Sequence, residues 1–222
     1  MVENRNKNEI EFRILASNGK ALLDHEVVGM LLRGVYDETN ANKIAKKMIE
    51  RFGGIGKMIG CDVDKLKTIE GVNDRTVATI LCVKQTLERT LKGEIAKELP
   101  VMDSWEKIVD YLKVSIGCLS KENIKIMYFD SKHRMEEETH SVGTIHSAPF
   151  YIREIIEKAI DKKAKSILIS HNHPSGDLKP SKRDIEATKV LDLVCTAIEI
   201  ELIDHVIMST NKYFSLRKSG LI

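Results

Sequence analysis

Two histidines stand together at the end of a short apolar segment. The run Ser166–Ser170 has the composition of a buried strand, and His171 and His173 follow it directly. Side chains two positions apart on a strand point to the same side. If the strand continues through this segment, both imidazoles are therefore directed to one place. Pro174 then ends the strand.

An amphipathic helix is predicted soon after the strand. The pattern begins near Ser181, and apolar residues recur at helical spacing as far as Ile198. Its first turn carries Asp184, which the helix would return to the neighbourhood of the two histidines. Two His and one Asp, with no fourth protein ligand nearby, are typical of an open catalytic zinc site. We therefore predict that His171, His173 and Asp184 bind a metal ion.

A simpler interpretation exists for each half of this pattern. Ser181-x-x-Asp184 at the start of a helix is also a capping box, in which each side chain accepts from the other residue's backbone amide. His171 and His173 alone could be strand-end histidines that are hydrogen-bonded to backbone carbonyls. The combination favours a metal site, and a helix cap is compatible with it.

The first hundred residues are predicted to be helical. A short helix is expected over Glu26–Leu32, and Thr39 is a plausible N-cap for a helix over Asn40–Phe52 that ends at Gly53. The longest helical pattern covers Asp74–Leu91. After Leu99 and Pro100 the character of the sequence changes, so we predict a helical domain over residues 1–100 and a second domain over residues 101–222.

Strands and helices alternate in the second part. Helices are predicted over 105–114, 151–163 and from 181 onward, and strands over 124–129, 136–141 and 166–170, with a closing hairpin over 202–216 around Asn211. Strands interleaved with helices predict a layered α/β or α+β domain.

The bulk properties are those of an ordinary globular protein. The chain has 222 residues, 42% of them hydrophobic and 31% charged, with a formal net charge of +2. It contains no apolar run long enough to span a bilayer, and its first residues lack the apolar centre of a secretory signal, so a cytoplasmic protein is expected. The four cysteines form no Cys-x-x-Cys pair, which excludes a zinc ribbon.

The motif resembles that of known metalloproteases. The pattern His171-x-His173-Pro174-x6-Ser181-x2-Asp184 looks like the JAMM (MPN+) motif, and the fuller run through Asp177 resembles the bacterial RadC family, long labelled a DNA-repair family. The resemblance extends to Gly143-Thr144 and Asp204-His205 and covers essentially the whole chain. It implies an α+β fold, with a helical domain followed by an α/β/α JAMM (cytidine-deaminase-like) layered domain.

The JAMM resemblance also implies roles for individual residues. Zn²⁺ would be held by His171, His173 and Asp184 with water in the fourth position, and Ser181 would donate a hydrogen bond to the oxyanion that forms from an amide carbonyl. An upstream glutamate acts as general base in this class, and Glu138 is the candidate, with Glu136 and Glu137 as neighbouring alternatives. The expected substrate is a peptide or protein amide, either a peptide or an isopeptide bond.

The N-terminal part contains a segment that resembles a helix-hairpin-helix module. In that module a Gly-hydrophobic-Gly turn brings helix N-terminal amides to a DNA phosphate without reading the base sequence. The corresponding residues are Gly71, Val72 and Asn73, where Asn73 replaces the second glycine and tolerates a left-handed backbone. Lys67, Arg75 and Lys84 could supply positive charge. Non-specific DNA contact is therefore one expected partnership, and no membrane contact is expected.

Two functions are consistent with these features. The first is a zinc-dependent amide hydrolase, and the second is a non-catalytic DNA-binding or repair accessory protein with a structural or vestigial metal site. Zinc-dependent deamination is disfavoured because the chain lacks the Cys-x-x-Cys half of that site.

Overall fold

The computed structural model describes residues 9–95, 105–132, 134–142, 152–210 and 212–222. The chain divides into two compact units, Met1–Val83 and Lys84–Ile222. Several sequence predictions fall outside the described residues: the domain boundary near Pro100, the Gly143-Thr144 pair, the first residue of the helix expected at 151, and Asn211 in the closing turn.

The first unit consists of helices around an apolar core. They are α1 Glu9–Ser17, α2 Asp24–Leu32, α3 Glu38–Phe52, α4 Ile55–Gly60, α5 Val63–Lys67 and the first part of α6 Asp74–Ile95. Fully buried side chains from five of these helices form the centre of the core, among them Leu32, Met48, Met58, Leu66 and Ile80. Helices of this length are stabilised mainly by such burial of one apolar face.

The ends of α3 follow from local chemistry, with one correction to the sequence prediction. The N-cap is Asp37, whose carboxylate accepts from the Asn40 amide, so the helix begins before the expected cap Thr39. Asp37 is the N-cap because its carboxylate reaches the amide three residues later and satisfies a helix-terminal donor. Gly53 ends the helix with φ 73°, a left-handed conformation that suits glycine.

The turn between α5 and α6 differs in one detail from the expected hairpin. Gly71 has φ 90°, whereas Asn73 is not among the described residues with positive φ. The Asn73 side chain instead accepts from the Thr76 amide at 3.0 Å and caps α6. Lys67 is ion-paired with Asp74 at 2.7 Å. One helix-terminal amide and one lysine of the proposed phosphate site are therefore already engaged.

The second unit contains a mixed five-stranded sheet with helices. The last part of α6 is followed by α7 Trp105–Ser115, β1 Asn123–Phe129, β2 Met135–Val142, α8 Ile152–Asp161, β3 Ser166–Asn172, α9 Lys182–Ala197, β4 Glu201–Met208 and β5 Tyr213–Ser215. The strand order is β2-β1-β3-β4-β5. β1 is antiparallel to both β2 and β3, β3 is parallel to β4, and β4 is antiparallel to β5.

Helices cover both faces of this sheet. On one face, Leu112 of α7 belongs to the same core as Met127 and Leu168. On the other face, Leu191 of α9 packs in a second core with Ile126 and Ile167. The alternation of neighbouring residues between the two cores follows from the pleat of each strand. The predicted α+β class, with N-terminal helices before a layered sheet domain, is confirmed. Among the described helices, none is both long and apolar enough to cross a bilayer.

Candidate metal centre

The two motif histidines meet at the end of β3. All seven residues of β3 are buried, His171 is the sixth of them, and His173 follows the strand with its amide donating to the Met208 carbonyl at 3.0 Å. The Nε2 atoms of His171 and His173 lie 2.9 Å apart. The structure thus brings both rings to one point, as their spacing on a strand predicts.

The loop after β3 orients the ring of His173. The amide of Gly176, at φ 82°, donates to the His173 carbonyl and closes a tight turn. The Asp177 carbonyl then lies 2.6 Å from Nδ1 of His173. A carbonyl can only accept, so Nδ1 carries the ring proton of a neutral His173 and the lone pair is on Nε2. That lone pair is on the side that faces His171.

Ser181 and Asp184 form the capping box at the start of α9. Ser181 Oγ accepts from the Asp184 amide at 3.1 Å, and Asp184 Oδ2 accepts from the Ser181 amide at 2.7 Å. The second oxygen, Asp184 Oδ1, is buried without a hydrogen-bond partner and lies 4.0 Å from His171 Nε2. Helix capping uses one carboxylate oxygen and leaves the other directed to the histidines.

Glu122 is a further acidic residue of this site that the sequence reasoning missed. Its Oε1 lies 3.7 Å from His173 Nε2. Glu122, His171 and His173 each offer a ligand atom within 4.8 Å of the others. The pairing of Ile124 with His171 explains this position, because continuing the antiparallel register places Glu122 opposite His173. A usable signal was present in the sequence: an acidic residue immediately before the strand that pairs with the histidine strand.

Glu138 lies on the other face of the sheet. It pairs with Met127 of β1, and Met127 belongs to the core beneath α7. His171 pairs with Ile124, which belongs to the core beneath α8 and α9. Directly paired residues share a face, so Glu138 and His171 point in opposite directions. This geometry corrects the expectation that Glu138 lies beside the histidines.

Glu138 instead belongs to a buried polar cluster. Its carboxylate is ion-paired with Lys125, accepts from the Tyr111 hydroxyl at 2.5 Å, and lies 3.1 Å from Lys92 Nζ. Burial raises the pKa of Glu138, but the Lys125 ammonium and the hydrogen bonds from Lys125, Tyr111 and Lys92 lower it, with a net pKa below the usual value. Glu138 is thus held ionised as a structural group.

His205 of β4 lies beside His171. Its Nε2 is 2.8 Å from His171 Nδ1, and the side chain is fully buried. Burial lowers the pKa of His205 well below its usual value, and the nearby His171 and His173 lower it further. His205 is therefore neutral at pH 7.

The donor set fits a divalent ion such as Zn²⁺. Imidazole nitrogen and carboxylate oxygen are ligands that zinc prefers, and here two imidazoles converge with Glu122, with ligand atoms within 4.8 Å of one another. Asp184 is not a member of that three-residue cluster, and its Oδ1 lies 4.0 Å from His171 Nε2. A buried carboxylate oxygen without a hydrogen-bond partner is costly unless a cation or a donor satisfies it. A cation among these groups would satisfy Asp184 Oδ1 and would also separate two nitrogen atoms that meet at 2.9 Å.

Comparison with known proteins identifies relatives over most of the chain. The family model described as a RadC-like JAB domain matches residues 102–221. A UPF0758 protein of Variovorax paradoxus (strain S110) is 30% identical over 212 residues, which cover 95% of this chain and 94% of the relative. The matched domain includes all four residues around the candidate metal centre.

Proposed function

Since the chain belongs to the RadC family, through its RadC-like JAB domain, we propose that it is a zinc-dependent hydrolase of amide bonds. One observation carries the proposal: the Nε2 atoms of His171 and His173 meet at 2.9 Å beside a buried Asp184 oxygen that has no hydrogen-bond partner. The proposed ligands are therefore His171, His173 and Asp184. The proposed substrate is a peptide or protein amide.

The metal ion and the protein groups have separate tasks in this proposal. Zn²⁺ at such a site polarises a carbonyl and acidifies water, so that amide hydrolysis proceeds near neutral pH. Ser181 stands at the N-terminus of α9, and its hydroxyl proton is available to donate because Oγ serves as the acceptor in the cap. That donor stabilises the negative charge that develops on the carbonyl oxygen of the substrate.

Glu122 is the proposed general base in place of Glu138. Its carboxylate is 12% exposed, and its Oε1 lies 3.7 Å from His173 Nε2, so it borders the space in front of the two histidines. From there Oε1 can take a proton from the attacking water and transfer it to the leaving amine. A carboxylate can serve either as a metal ligand or as a general base. The variants described below distinguish these two roles for Glu122.

Zinc content and hydrolysis together test this proposal. We expect about one zinc per chain in the purified full-length protein. Asp184→Asn should lose the ion because it removes the carboxylate charge. The amide oxygen of asparagine still accepts in the helix cap, so the cap is retained. Chelation should abolish cleavage of a panel of fluorogenic peptide and isopeptide substrates. Metal-free wild-type protein with a native circular dichroism spectrum would contradict the assignment.

Glu122→Gln and Glu138→Gln form a matched pair for the general base. Glu122→Gln should retain zinc and lose roughly 100-fold or more in turnover, since general base catalysis contributes about 10²–10⁴-fold. Glu138→Gln, assayed where its circular dichroism spectrum is native, should retain both zinc and turnover. Loss of zinc in Glu122→Gln would instead identify Glu122 as a ligand, and loss of turnover only in Glu138→Gln would restore the original assignment.

A further inference from the structure

A buried chain of hydrogen bonds leads from the backbone of α9 to His171. The Thr188 hydroxyl donates to the Asp184 carbonyl at 2.5 Å and lies 2.6 Å from His205 Nδ1. His205 Nε2 lies 2.8 Å from His171 Nδ1. Thr188, His205 and His171 are all fully buried. These hydrogen bonds therefore connect two elements, α9 and β4, to one proposed metal ligand on β3.

The direction of every bond in this chain follows from its first acceptor. The Asp184 carbonyl has no proton, so Thr188 must donate to it, and the Thr188 oxygen then accepts from Nδ1–H of His205. A neutral His205 with its proton on Nδ1 has its lone pair on Nε2. That lone pair accepts from Nδ1–H of His171. The lone pair of a neutral His171 is consequently on Nε2.

We propose that Thr188 and His205 are positioning residues that hold His171 in the tautomer able to bind metal through Nε2. The proposal rests on the zinc site described above. The alternative tautomer of His171 would present Nε2–H to the site, and a protonated ring nitrogen cannot serve as a ligand. Partners of this kind orient a ligating histidine and raise its basicity.

The hydrogen-bond chain from Thr188 through His205 to His171, here called the relay, also links two proposed ligands through one turn of helix. Asp184 supplies its side chain to the metal site and its carbonyl to Thr188, which lies one turn later on α9. His205 stands on the same face of the sheet as His171, because β3 and β4 are parallel neighbours and His205 is in register with Ile169. The position of α9 on the sheet therefore sets both the Asp184 carboxylate and the His171 tautomer.

Two changes at residue 188, one that removes the hydroxyl and one that keeps it, test the relay in the full-length protein. Thr188→Val keeps the shape of the side chain but removes the hydroxyl, so Nδ1 of His205 loses the acceptor that Thr188 provides. Thr188→Ser keeps the hydroxyl. Competition with a chromogenic zinc chelator should show affinity weakened about tenfold to hundredfold in Thr188→Val, the range expected when such a partner is lost, and nearly unchanged affinity in Thr188→Ser. Equal zinc affinity in Thr188→Val and wild type would overturn the proposal.

A direct measurement covers the case in which Thr188→Val does not fold. Long-range ¹H–¹⁵N correlation spectra of the metal-free wild-type protein report which ring nitrogen of each histidine carries the proton. We expect the proton on Nδ1 in both His171 and His205, and a proton on Nε2 of His171 would overturn the proposal. A wild type that shows this tautomer and binds no zinc would refute the proposed hydrolase and would also show that the relay does not serve zinc binding.

Discussion

At the scale of single residues, the candidate centre shows how one side chain can cap a helix and keep a second atom available to a metal ion. Asp184 uses Oδ2 to accept from the Ser181 amide and keeps Oδ1 directed toward His171. Ser181 likewise accepts from the Asp184 amide while its hydroxyl proton remains for another acceptor. The capping box and the metal site therefore do not compete for the same atoms. The two interpretations of the motif are compatible because a carboxylate has two oxygens and a hydroxyl both donates and accepts.

Ser181→Ala separates these two purposes. Loss of the cap should lower the free energy of unfolding by about 1 kcal/mol. Loss of the oxyanion donor should lower turnover by roughly 10²–10³-fold. Chemical denaturation and hydrolysis assays measure the two effects, and Ser181→Thr, which retains the hydroxyl, is the control. A variant that is less stable but has wild-type turnover would limit Ser181 to capping.

At the scale of elements, the pleat of β1 determines which polar residues meet. Lys125 of β1 lies on the α7 face and is ion-paired with Glu138 of β2, with Tyr111 of α7 bonded to both. Ile124, one residue earlier, lies on the opposite face and pairs with His171. One strand thus supports a structural ion pair on one face and borders the candidate metal centre on the other.

Removal of one partner of this pair should destabilise the second unit. Both side chains are less than a tenth exposed, so Glu138→Gln leaves the Lys125 ammonium buried without its carboxylate and should cost about 3–5 kcal/mol. Urea denaturation at pH 7 measures this loss. The double variant Lys125→Met/Glu138→Leu is the control, because replacing the whole pair by apolar groups is often nearly neutral. A single variant as stable as wild type would contradict a structural role.

The same ion pair predicts a dependence on pH. The pKa of Glu138 is lowered in the folded protein, so the unfolded chain binds the proton more readily. The contribution of Glu138 is therefore complete well above the unfolded pKa of about 4.3 and is lost as the pH falls through the lower folded pKa. The difference in stability between wild type and Glu138→Gln should shrink on acidification over this window. A difference that is constant from pH 7 to pH 3 would exclude this linkage.

At the scale of the whole molecule, the two units carry different candidate functions. All four residues around the proposed metal centre belong to the second unit, whereas the hairpin-like turn belongs to the first. Non-specific DNA contact through that turn stays a prediction. At this turn Lys67 is ion-paired with Asp74. Asp74 places negative charge at the N-terminus of α6, which is where a phosphate would bind.

Asp74→Asn tests this contact through a gain of affinity. Removal of the carboxylate releases Lys67 and should tighten binding to a labelled DNA duplex at low salt by roughly two- to fivefold. Lys67→Gln should weaken binding and reduce the salt dependence by about 0.9 in slope. Fluorescence anisotropy measures both. Glu157→Gln on α8 is the matched control, because Glu157 is also an exposed partner in an ion pair and its change in charge is the same.

Equal effects of Asp74→Asn and Glu157→Gln would show that only net charge matters. In that case the turn between α5 and α6 would have no specific part in DNA contact. Absence of binding by the wild type at low salt would remove the DNA hypothesis altogether.

Short-range patterns in the sequence were sufficient for the motif and for the elements that carry it. The strand that carries His171, the helix that begins after Ser181 and the sheet domain with helices all follow from periodicity and cap residues within a few positions. The convergence of His171 and His173 follows from the two-residue repeat of a strand. These features depend only on local geometry, so no knowledge of the rest of the chain was needed.

The remaining members of the site were decided by tertiary structure. Glu122 reaches His173 because β1 pairs with β3 in one register, and His205 reaches His171 because β4 is the parallel neighbour of β3. Glu138 lies on the opposite face of the sheet from His171, because a shift of one position along a paired strand reverses the face. Pairing between distant strands is not encoded in local periodicity, and that is why a single sequence identified the two histidines and Asp184 but did not place Glu122 and His205 beside them.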